Sequence, residues 1–160
     1  MIAILYNIRS LYNVGSIFRT ADGVGIEKIY LCGITPAPFD VFGKPRKQLV
    51  KVSLGAEKYL EWDGLARSPQ AVSKLIDKLK KDGYKIFAVE QSKKSIPYSK
   101  LKTGNSKLAL VVGSEIGGLP ESILKKADKI LEIPMLGKKE SLNVSVAFGI
   151  VAYALANSKK

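Results

Sequence analysis

The chain has 160 residues, 46% of them apolar and 25% charged, which suits one soluble globular domain with a real core. It holds no histidine and a single cysteine, which excludes Ser-His-Asp and Cys-His triads, an intrachain disulfide and most zinc sites, so no metal is expected. The net charge of +12 points toward a polyanion, most often nucleic acid, and neither the opening MIAILYNIRS nor the closing apolar run fits a signal peptide or a membrane span. A cytoplasmic protein with no membrane partner is expected.

MIAILYN reads as a first strand. Asn13 is placed to cap a helix reaching about Asp22, with Val14, Ile17, Phe18 and Ala21 on its buried face. EKIYLCG is a second strand. ITPAPFDVFGKPRKQ follows as a long Pro/Gly-rich loop carrying Lys44, Arg46 and Lys47, and long loops in compact domains are often functional. KVSLGAEKYLEW holds a short helical turn and a short strand. Pro69 opens a helix with Val72, Leu75, Ile76 and Leu79 inward and Lys74, Lys78, Lys80 and Lys81 outward. GYKIFAVE and SKLALVVGSE are strands, LPESILKKA is a short helix, KILEIP is the last strand, and MLGKKE is a loop. The closing helix is apolar on nearly every face from Leu142 to Leu155, where a surface helix shows one apolar stripe. Strands alternating with helices predict a parallel α/β sheet covered on both faces. A single domain over residues 1–160, with no second domain, is expected.

In an open α/β sheet, ligands bind beyond the carboxyl ends of the strands. Three such ends are rich in Gly and polar residues: AVEQS, VVGSEIGG and EIPMLGKKESLN. If these strands are neighbours, their ends form one pocket. Gly113, Gly117 and Gly118 allow backbone to approach a ligand closely, yet the spacing is neither a dinucleotide fingerprint nor a Walker A loop. Arg19, flanking Ser16 on the first helix, is either a surface charge or a clamp for phosphate and developing negative charge. Glu115 is either a solvated loop carboxylate or a partner that orients Arg19 or the loop that faces nucleic acid. Ser141 has N-capping as its commoner role. Asn143, an amide amid apolar neighbours, needs partners.

Three segments together carry a resemblance. NVGSIFRTA (Asn13 to Ala21), VVGSEIGGLP (Val111 to Pro120) and IPMLGKKESLNVSVA (Ile133 to Ala147) resemble the three motifs of the SpoU, or TrmH-like, class of SPOUT RNA ribose methyltransferases, in the family's order. The resemblance implies a Rossmann-like α/β fold with a deep C-terminal trefoil knot, S-adenosylmethionine as cofactor, a homodimer, and methyl transfer to a ribose 2′-hydroxyl of tRNA or rRNA. It implies Arg19 as activator of the hydroxyl, positioned by Asn13, Glu115, Ser141 and Asn143. It places the cofactor against Val89, Glu90, Gly113, Ile133, Met135 and Leu142. It explains the apolar last helix as one covered by its own subunit on one side and a partner on the other. Arg9, Lys44, Arg46, Lys47, Lys51, Lys138 and Lys139 are the candidate RNA contacts, although for any single lysine plain solvation is the commoner role. The competing readings are an RNA-binding protein of the same fold without efficient catalysis, and a SPOUT enzyme that methylates a base.

Overall fold

The computed structural model describes residues 1–64 and 68–158. Seven strands form one sheet: β1 (Ile2–Tyr6), β2 (Lys28–Cys32), β3 (Glu61–Gly64), β4 (Tyr84–Val89), β5 (Ile96–Pro97), β6 (Lys107–Val112) and β7 (Lys129–Glu132). Their order is β3-β2-β1-β6-β4-β7-β5, and every pairing is parallel. The helices are α1 (Leu11–Val24), α2 (Lys47–Ser53), α3 (Pro69–Lys81), α4 (Glu121–Leu124) and α5 (Val144–Asn157).

Side chains alternate across a strand, so each strand feeds two cores. Ala3 and Leu5 of β1 and Leu108, Leu110 and Val112 of β6 point into the layer filled by Ile17 and Phe18 of α1 and Phe148 and Val151 of α5. Ile2, Ile4, Ala109 and Val111, at the alternate positions, meet Val72, Ile76 and Leu79 of α3 and Ile123 of α4. The central strands β1, β6 and β4 are apolar on both faces, as a parallel sheet covered on both sides requires. Cys32 is buried in the second layer, and burial pushes its thiol up to about 12, which makes it a packing residue and not a nucleophile. At the sheet edge, Lys28 bridges Glu61 and Asp63 of β3, and hydrogen bonds from its ammonium to Asp63 and then Glu61 hold its pKa above the ordinary lysine value.

Five details differ from the sequence reading. Ser10, not Asn13, caps α1: it is extended (φ −73, ψ 119), and its hydroxyl accepts the Asn13 backbone N–H. Asn13 therefore lies inside the first turn with its amide free for other work. Residues 47–53, taken partly as loop, form α2, and the short β5 was not foreseen. Asn143 is the cap of α5, its side chain accepting the Ser145 N–H, so Ser141 lies outside the helix and does not cap it. Finally, β7 ends at Glu132, two residues before Pro134.

In chain order β1, β2 and β3 build one half of the sheet outward, and β6, β4, β7 and β5 build the other. The order reverses between β1 and β6, and a doubly wound sheet leaves its ligand crevice beside such a switch.

Candidate active site

The strands β6, β4 and β7 are neighbours, so the three dressed ends meet. They enclose a cavity of about 470 Å³, a size that holds a cofactor-sized ligand (roughly 300–1,000 Å³). All six expected cofactor positions, Val89, Glu90, Gly113, Ile133, Met135 and Leu142, line it, together with Glu115 and Ser141.

Its floor depends on two glycines. A Cβ on Gly113 would stand 2.5 Å from the Gly118 carbonyl oxygen, and backbone there cannot yield. The loop from 114 to 118 closes on itself: Gly118 N–H donates to Ser114 O at 2.9 Å, Gly117 N–H donates to Ser114 Oγ at 3.1 Å, and Gly118 takes the left-handed φ of +56. Glu90 ties the strand ends together. Its carboxylate accepts the Leu119 N–H at 2.8 Å and the Gln91 N–H at 3.0 Å, while its own N–H donates to Leu131 O at 3.0 Å. Gln91 Nε2 then donates to Glu140 O at 2.6 Å, fastening the 133–143 loop over the pocket. Neither role of Glu90 nor that of Gln91 was legible beforehand; the only signal was polar residues directly after an apolar strand.

At the mouth runs a continuous polar chain. Ser145 donates through both N–H and Oγ to Asn143 Oδ1, at 2.9 and 2.6 Å. Asn143 Nδ2 donates to Asn13 Oδ1 at 3.0 Å, and Asn13 Nδ2 donates to the Glu115 carboxylate. The three motif segments thus touch through Asn13, Glu115 and Asn143, and Ser145 joins them. Arg19 is not brought to this cluster within one chain. It sits six residues beyond Asn13, about 9 Å further along the helix, is exposed, and makes no ion pair among the described residues.

The lining includes the carboxylates Glu90, Glu115 and Glu132 and no lysine or arginine. In a chain of net charge +12, this arrangement favours a ligand bearing positive charge and disfavours a pyrophosphate. Outside the pocket, Arg9, Lys44, Lys47, Lys51, Lys138 and Lys139 are exposed. Arg46 is different: it is half-buried at the start of α2, with Nε buried and unpartnered among the described residues.

An all-parallel, doubly wound sheet with a glycine-floored, acid-lined pocket at the carboxyl ends of β6, β4 and β7 defines an α/β domain that holds a small, partly apolar ligand at its strand ends. Over residues 1–153 the chain matches the model of the SpoU rRNA Methylase family, and it belongs to that family. A tRNA (guanosine(18)-2′-O)-methyltransferase from Aquifex aeolicus is 33% identical over 147 residues, covering 92% of this chain and 64% of the relative. The chain therefore spans less than two thirds of that protein's length. The crystal structure of the A. aeolicus TrmH/SpoU tRNA modifying enzyme superposes with a TM-score of 0.80 at 32% identity, over 98% of this chain and 74% of that one. An AdoMet-bound rRNA methyltransferase from Sinorhizobium meliloti gives a TM-score of 0.82 at 26% identity, over 95% and 54%.

Proposed function

We propose that the protein is an S-adenosylmethionine-dependent RNA methyltransferase acting on a ribose 2′-hydroxyl of tRNA or rRNA. The observation that carries this reading is the acid-lined, glycine-floored pocket joined at its mouth to the Asn13–Glu115–Asn143 chain. The pocket fits the cofactor in kind: Gly113 lets backbone approach a ligand, Ile133, Leu142 and Val89 offer apolar walls for an adenine, and the carboxylates suit a cation. S-adenosylmethionine, when bound, supplies the electrophilic methyl group. The rest is positioning and electrostatics by the chain. Glu115 and Asn143 fix both ends of the Asn13 amide, so the rim next to the cavity is preorganised. A guanidinium is a donor and a fixed positive charge with no acceptor, so Arg19 stabilises the negative charge that develops on the ribose oxygen and does not act as a proton-removing base.

Arg19 reaches a reacting centre only across a subunit boundary, and so the working form is a homodimer with each Arg19 serving the partner's pocket. This is supported by the apolar, partly exposed surface shared by α1 and α5, with Tyr12 56%, Val146 49% and Tyr153 46% exposed. The loop 133–143 is proposed to be threaded as a trefoil knot. Its fastening to Gln91 and the return of α5 against α1, β4 and β6 support that path. Among the described residues no helix is long and apolar enough to cross a membrane, and a cytoplasmic location in contact with RNA suits the charge. Ser141 at the rim and the exposed Arg9, Lys44, Lys47, Lys51, Lys138 and Lys139 complete the proposed RNA-facing surface.

The test is transfer of labelled methyl from S-adenosylmethionine to unmodified RNA by the wild type and by Arg19→Ala. Loss of an electrostatic stabiliser costs about 10²–10³ in rate, and cofactor affinity measured by calorimetry should be retained. Equal rates for both proteins would sink the assignment of Arg19. RNA binding without any transfer by the wild type would favour the binding-protein reading.

A further inference from the structure

The loop between β2 and α2 has no part in the pocket, yet it is built with care. Its base is pinned to the end of β1. Asn7 Oδ1 accepts the Ile34 N–H at 3.1 Å, and the buried Thr35 hydroxyl accepts the Ile8 N–H at 3.1 Å and lies 3.0 Å from Leu5 O. Further out, Phe39 and Pro45 pair as an antiparallel bridge, Arg46 N–H donates to Pro38 O at 2.8 Å, and the Phe39 ring stacks on Trp62. The tip is locked by Asp40, whose Oδ1 accepts the N–H groups of both Phe42 and Lys44 at 2.9 Å, while its own N–H donates to Lys44 O at 2.9 Å. Gly43 supplies the φ of +74 that this turn needs.

This hydrogen-bonded tip holds Phe42 84% and Val41 92% exposed. A lone exposed apolar side chain on a surface is ordinary. A ring held outward on a braced turn, with Lys44 beside it and Lys47 and Lys51 exposed on the helix that follows, is a different object. Aromatic faces beside cations are how proteins hold unpaired bases: the ring stacks on the base, and the cations take the phosphates. The loop leaves the same carboxyl edge of the sheet as the pocket, two strands away from β6.

We propose that Phe42 is a stacking platform for an unpaired base of the RNA substrate, with Lys44 and Lys47 on the flanking phosphates. The proposal rests on the reading of the chain as an RNA-modifying enzyme and adds the means by which it selects single-stranded over paired RNA. The occupant is RNA and not a second copy of the chain, because the ring is flanked by like-charged lysines that would face one another across a two-fold contact.

The test is equilibrium binding of the full chain to two RNA probes, a stem-loop with an unpaired loop and a fully paired duplex of equal length, across a salt series. A base stacked on an aromatic ring loses most of that contact when the ring is removed, so Phe42→Ala should weaken stem-loop binding by about 5- to 150-fold. Duplex binding and the salt slope should stay as in the wild type. Phe42→Tyr should keep stem-loop affinity, and Phe42→Leu, equally apolar, should lose it. Lys47→Ala should weaken binding to both probes and lower the salt slope by about one phosphate. Unchanged stem-loop binding by Phe42→Ala overturns the platform alone, and so does an equal loss on both probes. Dissociation of a dimer by Phe42→Ala in light scattering overturns it in favour of a subunit contact. A wild type that binds neither RNA overturns the platform together with the reading beneath it.

Discussion

Gly113 is where one missing methyl group decides whether the pocket exists. The strand end and the returning 114–118 loop pass so closely that any side chain there meets the Gly118 carbonyl at 2.5 Å. Gly113→Ala should therefore cost about 1–3 kcal/mol of stability as the loop is forced outward. It should also weaken S-adenosylmethionine binding about tenfold or more in calorimetry, at about 1.4 kcal/mol per decade. Gly137→Ala is the matched control in the loop over the pocket, since a Cβ there meets nothing within 4 Å. If the two variants bind the cofactor equally well, the pocket lies elsewhere. Asn13 shows another constraint at this scale. Its backbone N–H is taken by the Ser10 cap and its amide is shared between Glu115 and Asn143, so one residue both completes the capped first turn of a helix and orders a site.

The last helix, α5, carries the question of assembly. Its buried stripe, Val144, Phe148, Val151, Ala152 and Leu155, seats it on its own domain, while Val146 and Tyr153 remain about half exposed on the other side. The proposed dimer covers that second side. Val146→Asp would bury a carboxylate there and should raise the dimer dissociation constant tenfold or more, as light scattering would read. Methyl transfer should fall with it if, as proposed, Arg19 serves the partner's pocket. A dimer of unchanged strength would place the interface on another surface. The apolar excess of this helix was visible in the sequence because its period is too full for a one-sided helix. Six of the seven strands were visible for the same kind of reason, as short runs between turn residues, and the two-residue β5 was not. Helix α2 was not. Within it only Leu49 and Ser53 are fully buried, a pattern too sparse to separate a helix from the loop before it. The cap of α1 was misassigned because both Ser10 and Asn13 are good capping residues, and only the backbone angles choose between them. The contact between Asn13 and Glu115 spans 102 positions and leaves no local trace, so it could be expected from the family motifs alone.

Across the whole molecule, charge is divided by task. The chain carries +12, but the cavity is walled by three glutamates and no cation, and the exposed lysines and arginines stand outside it. A basic exterior gathers RNA by counterion release, whereas an acidic interior suits a cationic cofactor and repels stray phosphate. In the proposed function both halves of that division serve one reaction. It is tested most directly by the chemical position of the transferred methyl group. Labelled S-adenosylmethionine is incubated with the protein and unmodified tRNA or rRNA, and the RNA is then hydrolysed in alkali, which needs a free 2′-hydroxyl to cut. Label recovered in alkali-resistant dinucleotides is the result predicted by ribose methylation. Label recovered in ordinary mononucleotides would mean a methylated base and would contradict it.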